Sequence, residues 1–567
     1  MKKSMVMVLG AVALAGAAQA AEINYKNGAW QWNADAWEGG EKPGPSDTAV
    51  IPELPVLKTR FDAGKMQSNG LQADEEIFAL HFKDLYGINV NGGSRTLTLQ
   101  NIICDDVYPT AEDTAQIATN RLSMTTLTFK GAENKIAVGN NHVLLLDMPT
   151  INRAEGSVLV KTGPGTVIHG GQSWGGTVAP VWVKEGLYVR PGNGYPEFRG
   201  DVIIGGADKS ATLTVLPSAQ QAFLLADKVL DIRANGRLNL PDLDKYYYLE
   251  TLKIDHGVLD GGGSTMFCMS NQGTTECGTE YTFDGGVITN GGIVVVWQGV
   301  LTIKPSDKPS AIYGRMVFNT GYDVEVQDGT SPVDFIVDGS FEASNRGVNK
   351  AGAGTMVLRS KTDIEDWGGI AGKPFAVKAG ALFYESSETT GTGMGTNNVE
   401  VAAGATYGAV GRHIGAYINL RGDIGKVILN GEADKTTTFV IGRIDETTGA
   451  LKPGQYTIGE GEIVGGVEFK NEGVLKIAAD KTGVSKLVVN GTFALSGNDT
   501  LDIVGPVNSY GLEPGTYEIV KTSEAMNTTF KAITYNGGAV PKNLKVASTD
   551  KLITLRVAPK GLAIVIR

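Results

Sequence analysis

Two pairs of neighbouring polar residues have the side chains needed for acid/base chemistry. Asp105-Asp106 is the only Asp-Asp pair in the chain, and Asp255-His256 is the only Asp-His pair. Carboxylates and imidazoles transfer protons in enzymes that cleave polysaccharides. Adjacent residues of a strand point to opposite faces, so each pair can act jointly only in a turn. The pairs are also about 150 residues apart (255 − 105). We therefore predict solvated turn carboxylates and a hydrogen-bonded histidine, and we assign no catalytic residue.

A nucleophile motif is present in outline. Gly171-Gln172-Ser173-Trp174-Gly175 matches the GxSxG pattern, which needs a strand before the serine and a helix after it. The sequence that follows, Gly176-Thr177-Val178-Ala179-Pro180, has no helical period. We therefore interpret Ser173 as a turn residue. No partner for it is evident among the five scattered histidines, His81, His142, His169, His256 and His413.

Two acidic segments and one aromatic run are candidate binding features. Asp242-Leu243-Asp244 and Asp363-Ile364-Glu365-Asp366-Trp367 offer two or three carboxylates each, whereas Ca²⁺ takes six to eight oxygens. Tyr246-Tyr247-Tyr248, with the tryptophans near the start, could stack on sugars, but alternation turns Tyr247 away from its neighbours. Surface acidity and core packing are the interpretations we adopt, and we expect no metal ion and no cofactor.

The first twenty residues have the pattern of an export signal. Lys2 and Lys3 precede an apolar run from Met5 to Ala18, and Ala18-Gln19-Ala20 is a small-x-small cleavage site. We predict cleavage after Ala20, and no later segment reaches 18 apolar residues, so we expect no transmembrane helix in the mature chain. Export permits a disulfide, for which Cys268 and Cys277 are the candidates. Cys104 is then left over as a buried apolar residue.

The composition excludes one large class of function. The chain of 567 residues has 50 Lys+Arg against 61 Asp+Glu, a net charge of −11. A nucleic-acid-binding protein needs a basic face, so we expect no nucleic-acid partner. Hydrophobic residues make up 42%, which is typical of a globular chain.

Short strands separated by glycine account for most of the length. Alternating runs of four to six residues, such as Thr96-Leu97-Thr98-Leu99, are flanked by Gly, Asn or Asp, which tolerate tight turns. The chain has 76 glycines, about 13% of its residues, where roughly 7% is usual. This pattern predicts an all-β protein built as a sandwich, a barrel or a solenoid.

Internal repeats with unequal gaps favour the solenoid. Lys161-Thr162-Gly163-Pro164-Gly165-Thr166-Val167 returns as Lys350-Ala351-Gly352-Ala353-Gly354-Thr355-Met356. Val183-Lys184-Glu185-Gly186-Leu187 returns as Val377-Lys378-Ala379-Gly380-Ala381-Leu382. A third element, Leu451-Lys452-Pro453-Gly454-Gln455-Tyr456-Thr457-Ile458, returns as Leu512-Glu513-Pro514-Gly515-Thr516-Tyr517-Glu518-Ile519.

The second copy of these repeats resembles a known family. Gly352–Leu358, Val377–Leu382 and Val399–Thr406 are similar to the autotransporter-associated β-strand repeat of extracellular bacterial proteins. The resemblance implies a right-handed parallel β-helix, a Gram-negative bacterial surface and no particular reaction. One departure is that the segment after the repeats has no room for the membrane barrel with which an autotransporter would finish.

These observations lead to one architecture and two competing functions. We predict a signal peptide (1–20), an N-terminal β-rich cap (21–154), a β-solenoid (155–519) and a C-terminal β cap (520–567). The expected function is that of an exported structural or adhesive cell-surface protein, such as a surface-layer, fibre or matrix component or an adhesin. It would assemble with itself or bind a cell-surface glycan. The alternative is a carbohydrate-active β-helix enzyme, a polysaccharide lyase or glycoside hydrolase.

Overall fold

The structure is a computed structural model of the chain. It describes residues 20–26, 31–57, 67–108, 117–147, 150–154, 156–170, 173–174, 180–190, 198, 200–216, 225–240, 246–269, 279–295, 299–318, 322–343, 348–360, 375–386, 398–413, 425–460 and 464–559. The predicted signal peptide up to Gln19 lies outside these residues. The chain divides into two compact units, Met1–Thr177 and Val178–Arg567.

The first unit contains fifteen of the described strands and two short 3-10 helices (Ala34–Ala36 and Glu38–Gly40). Its strands are β1 (Glu22–Asn24), β2 (Gln31–Trp32), β3 (Thr48–Ile51), β4 (Gln67–Leu71), β5 (Glu75–Glu76), β6 (Ala79–Phe82), β7 (Ile88–Leu99), β8 (Asn101–Cys104), β9 (Ala118–Phe129), β10 (Glu133–Val138), β11 (His142–Leu146), β12 (Thr150–Arg153), β13 (Val158–Thr162), β14 (Thr166–His169) and β15 (Ser173–Trp174).

The second unit contains a further 35 described strands and a 3-10 helix (Ser509–Gly511). Its strands are β16 (Val181–Val183), β17 (Gly186–Arg190), β18 (Val202–Ile204), β19 (Ala211–Val215), β20 (Leu225–Ile232), β21 (Gly236–Asn239), β22 (Tyr246–Asp255), β23 (Val258–Met269), β24 (Thr279–Asp284), β25 (Val287–Val295), β26 (Gly299–Ile303), β27 (Ser310–Phe318), β28 (Tyr322–Val326), β29 (Phe335–Ala343), β30 (Val348–Ala351), β31 (Thr355–Ser360), β32 (Phe375–Val377), β33 (Ala381–Ser386), β34 (Val399–Ala402), β35 (Thr406–His413), β36 (Lys426–Asn430), β37 (Thr437–Ile441), β38 (Arg443–Ile444), β39 (Leu451–Lys452), β40 (Gln455–Ile458), β41 (Gly465–Phe469), β42 (Gly473–Asp480), β43 (Gly483–Val484), β44 (Lys486–Val489), β45 (Gly491–Ala494), β46 (Thr500–Val504), β47 (Gly515–Thr522), β48 (Ala532–Tyr535), β49 (Leu544–Ser548) and β50 (Leu552–Val557).

Three parallel ladders make up the first unit. They are β1-β3-β6-β8-β10-β13, β2-β4-β7-β9-β11-β14 and β5-β7-β9-β12-β15. The long strands β7 and β9 contribute to two ladders each. The chain enters the ladders in turn and then returns to the first, and we call each such passage a rung. This is the topology of a parallel β-solenoid.

The second unit repeats this arrangement. One ladder runs β16-β18-β20-β22-β24-β26-β28-β30-β32-β34-β36-β41-β45. Another runs β17-β19-β21-β23-β25-β27-β29-β31-β33-β35-β37-β42-β46-β48. A further parallel ladder joins the end of β35 to β40, β44 and β47. The predicted all-β fold, a parallel β-helix, is therefore confirmed.

Pairing at the two ends differs. Parallel pairing is already present between β1 and β3, N-terminal to residue 155, where the sequence placed the start of the solenoid. Near the other end, β50 pairs antiparallel with both β47 and β49. The domain limits at residues 154 and 519 stay predictions.

The core lies between the ladders, because alternate side chains of each strand point inward. In β19, for example, Ala211, Leu213 and Val215 are buried and the two threonines between them are half-buried. Paired inward residues stack from rung to rung into columns. One fully buried column consists of Met356, Leu382, Tyr407, Phe439, Leu475 and Leu501.

A second apolar cluster lies on the opposite face of the second ladder. Ile336, Val357 and Phe383 alternate with the core residues and are nevertheless buried. The antiparallel hairpin β38–β39 covers them, with Ile444 and Leu451 packed against the cluster. This hairpin makes its rung long: paired core positions are 20 residues apart at Tyr281 and Leu301 (301 − 281) and 40 apart at Leu429 and Phe469 (469 − 429).

Candidate functional site

The Asp-His pair lies at a corner of the solenoid. Strand β22 ends at Asp255, β23 begins at Val258, and His256 between them has a left-handed φ of 53°. This conformation breaks the alternation of the strand and brings the two side chains together, with Nδ1 of His256 2.7 Å from Oδ1 of Asp255. The pair therefore occupies the kind of turn that joint action requires.

Residues from two later segments complete the corner, which we call the His256 cluster (Asp255, His256, Asp284, Ser306 and Asp307). The backbone N–H of His256 donates to the carbonyl of Asp284 at 2.7 Å. Nε2 of His256 lies 3.4 Å from Oδ1 of Asp307 and 3.4 Å from Oγ of Ser306. Asp255, His256 and Asp284 each place one potential metal-ligand atom within 4.8 Å of the other two. No other three His, Cys, Asp or Glu residues in the described ranges come this close together.

The electrostatic environment of the His256 cluster favours the protonated, positively charged form of His256. The hydrogen bond with Asp255 raises the pKa of His256 above its usual value of 6.5, against the opposing effect of partial burial. The cluster is open to solvent: His256 is 34% exposed and Asp307 is 71% exposed. Chemically, such a set can exchange a proton near neutral pH or offer nitrogen and oxygen ligands to a transition-metal cation.

A second histidine–carboxylate pair lies in the first unit. Nε2 of His81 is 2.7 Å from Oδ1 of Asp105, and its Nδ1 is 3.9 Å from a carboxylate oxygen of Glu22. Glu22 also accepts a hydrogen bond from Lys83 at 2.9 Å, which lowers the pKa of the glutamate. This surface group joins residues of three rungs of one ladder, because Glu22 lies in β1, His81 lies in β6 and Asp105 follows β8; strand β3 lies between β1 and β6.

The two carboxylates of Asp105-Asp106 have different partners. Asp106 accepts from the backbone N–H of Asn140 at 2.5 Å and from the hydroxyl of Tyr108 at 3.1 Å. Asp105 faces His81 instead. The structure thus separates this pair into two turn contacts, and it does not bring them together as an acid and a base.

A buried polar chain crosses the interior of the first unit. Asn120 Nδ2 donates to Asp84 at 3.2 Å and lies 2.5 Å from Nε2 of His142, whose Nδ1 is 3.0 Å from the carbonyl of Asp105. Burial raises the pKa of Asp84 to about 6 and lowers that of His142. Burial also raises the pKa of the Cys104 thiol, with a contribution from Asp84, so this thiol is held in its unreactive form.

The repeated Lys-x-Gly-x-Gly motif forms the same buried turn in both units. Lys161 is 1% exposed and donates to the carbonyls of Thr162 at 3.1 Å and Gly163 at 2.5 Å. Lys350 is fully buried and donates to the carbonyls of Gly352 at 2.6 Å and Ala379 at 2.8 Å. The ammonium group thus satisfies turn carbonyls that would otherwise be buried without a partner.

Some of the remaining residues that the sequence singled out lie within the described ranges, and others lie outside them. Ser173 lies in strand β15, paired with Thr150, and not in a turn. Trp32 and Trp37 are fully buried and pack edge-to-face at 4.7 Å, so they belong to the core. Of Tyr246–Tyr248 and Cys268 the structure describes the backbone alone, within β22 and β23. The following lie outside the described residues: Trp30, Asp242–Asp244, Cys277 and Asp363–Trp367.

Sequence reasoning missed most of the histidine partners. The sequence suggested no partner for His81 or His142. His81 bonds to Asp105, 24 positions later, and His142 bonds to Asn120, 22 positions earlier. The signal that could have found them is the rung length: strands β6 and β8 pair with an offset of 22 residues (101 − 79). Asp105 follows His81 by 24 residues (105 − 81), which is close to this offset.

No protein-family model matches this chain, and no curated protein matches it. In the described part of the chain, no helix has the length and hydropathy that crossing a membrane requires.

Proposed function

We propose that this chain is an exported structural or adhesive protein of a bacterial surface. It would serve as a stiff β-solenoid rod in a surface layer, fibre or matrix, or as an adhesin. The signal-peptide pattern, the acidic charge and the similarity to autotransporter-associated repeats support the location. A solenoid suits the role because each rung contacts only its neighbours and the rod can present varied loops along its length.

The use of the buried polar side chains is the observation that carries this proposal. Lys161 and Lys350 bond to turn carbonyls, and Asp334 accepts from the N–H groups of Gly329 at 2.8 Å and Thr355 at 2.7 Å. Asp499 likewise accepts from Gly473 and Ser496, at 2.9 and 2.6 Å. These side chains hold turns and neighbouring rungs together, as a rigid scaffold requires.

Electron microscopy of the purified mature protein, together with fractionation of its source cells, tests the proposal. We expect rods or lattices, and protein in the envelope or medium beginning at Ala21. Globular single particles combined with an intact Met1 in cytoplasmic fractions would contradict both the scaffold and the export signal.

The His256 cluster favours a second candidate, a carbohydrate-active β-helix enzyme. A histidine with a raised pKa next to three carboxylates can serve as a general acid, and parallel β-helices often carry polysaccharide lyases and hydrolases. Release of reducing ends or unsaturated sugars from a panel of acidic and neutral glycans would detect this activity. The matched variants are His256→Gln and His81→Gln: loss of activity in the first and not in the second would assign the chemistry to this cluster.

A further inference from the structure

Two strand edges near the C-terminal end of the second unit have no partner among the described strands. Strand β48 pairs with β46 along one edge, and β49 pairs with β50 along one edge. An open edge presents unpaired N–H and C=O groups and is a template for another strand. A solenoid with such edges needs a covering segment.

An apolar cleft lies beside both of these strands. It is lined by Leu501, Met526, Phe530, Ile533, Val546 and Ile553, together with threonine and serine side chains. Ile533 of β48 is 39% exposed, and Val546 of β49 is half-buried. Exposed aliphatic surface next to an open strand edge suits a short apolar strand, whose backbone bonds to the edge while its side chains fill the cleft.

We propose that Gly561–Ile566 of the same chain is that strand. It would lie along the free edge of β49, with Leu562, Ile564 and Ile566 directed into the cleft. These residues lie outside the described ranges, and their sequence, Gly-Leu-Ala-Ile-Val-Ile, is apolar at every position. A strand that is apolar on both faces has to be covered on both.

The position from which this segment leaves the fold makes the docking geometrically feasible. Strand β50 ends at Val557, which is paired with Leu544 at the start of β49, and Ala558 N–H still donates to the Asn543 carbonyl at 2.8 Å. Ala558–Lys560 can span about 10 Å, which is two inter-strand spacings and therefore enough to pass from β50 across β49. Six further residues extend about 20 Å, more than the roughly 17 Å length of β49.

Tethering favours this occupant over a second copy of the chain. The segment is attached three residues from β50, so its local concentration at the cleft is on the order of millimolar, far above that of another molecule in dilute solution. Pro559 in the connection cannot donate to a ladder, so it suits the corner that this path requires. Docking of Gly561–Ile566 on β49 does not depend on the proposed surface role.

Paired cysteines in the full-length protein test the docking. Val546→Cys is combined in turn with Leu562→Cys, Ile564→Cys or Ile566→Cys. In the matched controls, Lys545→Cys takes the place of Val546→Cys, because Lys545 is exposed on the opposite face of the same strand. Oxidised samples are separated by size and mapped by mass spectrometry, after circular dichroism has shown that each variant is folded.

We expect an intramolecular disulfide in at least one Val546 series variant, formed at least tenfold faster than in the Lys545 controls. Equal rates in the two series would overturn the proposal, and disulfide-linked dimers alone would assign the cleft to a second copy. Hydrogen exchange gives an independent measurement: deleting Gly561–Arg567 is expected to accelerate exchange in β49 at least tenfold. An unchanged exchange rate in a folded deletion variant would also overturn the proposal.

Discussion

The turns at Lys161 and Lys350 have the same sequence motif and the same backbone, but the surroundings of the two ammonium groups differ. Gly163 and Gly352 have φ values of 77° and 76°, and the lysine two residues earlier bonds to the carbonyl of each. Lys350 also donates a hydrogen bond to the Ala379 carbonyl on the next rung, and the negative charges of Asp334 and Glu325 act to raise its pKa. Lys161 instead lies close enough to Cys104 to influence the pKa of that thiol.

The motif therefore specifies the turn, while residues of the neighbouring rung determine the electrostatic environment of the ammonium group. Gly380 of the second repeat element illustrates the point, since a Cβ there would be 2.5 Å from Nζ of Lys350. One repeat element thus leaves room for the lysine of another, although 30 residues separate them.

Substitution of the turn glycines should have the largest effect. A Cβ on Gly163 would be 2.3 Å from the Val138 carbonyl oxygen, and one on Gly352 would be 2.2 Å from that of Val326. We expect Gly163→Ala and Gly352→Ala each to destabilise the fold by about 3 kcal/mol or more, since backbone strain and backbone overlap add. The measurement is the midpoint of thermal and chemical unfolding.

Gly156→Ala is the matched control for this prediction. Gly156 has a φ of 74° but nothing within 4 Å of an added Cβ. Its substitution should therefore cost only the left-handed strain of about 1–2 kcal/mol. Equal destabilisation by Gly156→Ala and Gly163→Ala would show that close approach of the rungs does not explain the motif.

Removal of either buried ammonium should have an intermediate effect. Lys161→Met and Lys350→Met keep the apolar stem and leave the turn carbonyls without this donor. We expect each to destabilise the fold at pH 7 by about 1–3 kcal/mol, the usual cost of a buried group left unsatisfied. Exposed Lys378, which pairs with Asp323 at 2.9 Å, is the control, and Lys378→Met should change stability by less than about 1 kcal/mol.

The pH dependence should distinguish the Lys350 turn. Burial lowers the pKa of Lys350 from 10.5 to about 8. Between these two values the unfolded chain binds a proton that the folded chain has released, so this group makes the fold more stable as the pH rises from 8 towards 10.5. Relative to Lys350→Met, the natural protein should gain on the order of 2–3 kcal/mol over this range, as followed by unfolding midpoints at each pH. A difference that stays constant from pH 7 to 10 would contradict this assignment.

The smallest effect is expected at the exposed His256 cluster. The hydrogen bond with Asp255 raises the pKa of His256, so the folded state binds the proton more tightly than the unfolded state does. Its contribution to stability is thus present below about pH 6.5 and is lost as the pH rises through the folded pKa. NMR titration should show the pKa of His256 above 6.5 and closer to it in Asp255→Asn. An unchanged pKa in that variant would remove Asp255 as the cause.

The repeats in the sequence predicted strand positions better than they predicted the register in which those strands pair. Tyr456 and Tyr517 are equivalent in the third repeated element, and their strands both pair with β44. Leu487 of β44 lies opposite Tyr456 on one side and Val520 on the other, so the two copies are displaced by three residues (520 − 517). A register shift between Glu518 and Val520 in the pairing with β50 adds one residue, so Tyr517 lies opposite Leu555 and Val520 opposite Ile553, on the same face of the sheet. Tyr456 is fully buried, whereas Tyr517 is half-buried and its hydroxyl donates to the Glu513 carbonyl.

Local sequence patterns were sufficient to predict the all-β class, the glycine turns and the stacked repeats. These depend on interactions within a few residues: the two-residue period of a strand and the left-handed φ that glycine accepts. Which polar groups come into contact depends on how the rungs stack. His81 faces Asp105, and Glu446 of the β38–β39 hairpin pairs with Arg359, 87 residues earlier in the chain. Paired positions are from 20 residues apart, as at Tyr281 and Leu301 (301 − 281), to 45 apart, as at Gly411 and Tyr456 (456 − 411), so the partner of a side chain depends on the lengths of the loops between strands.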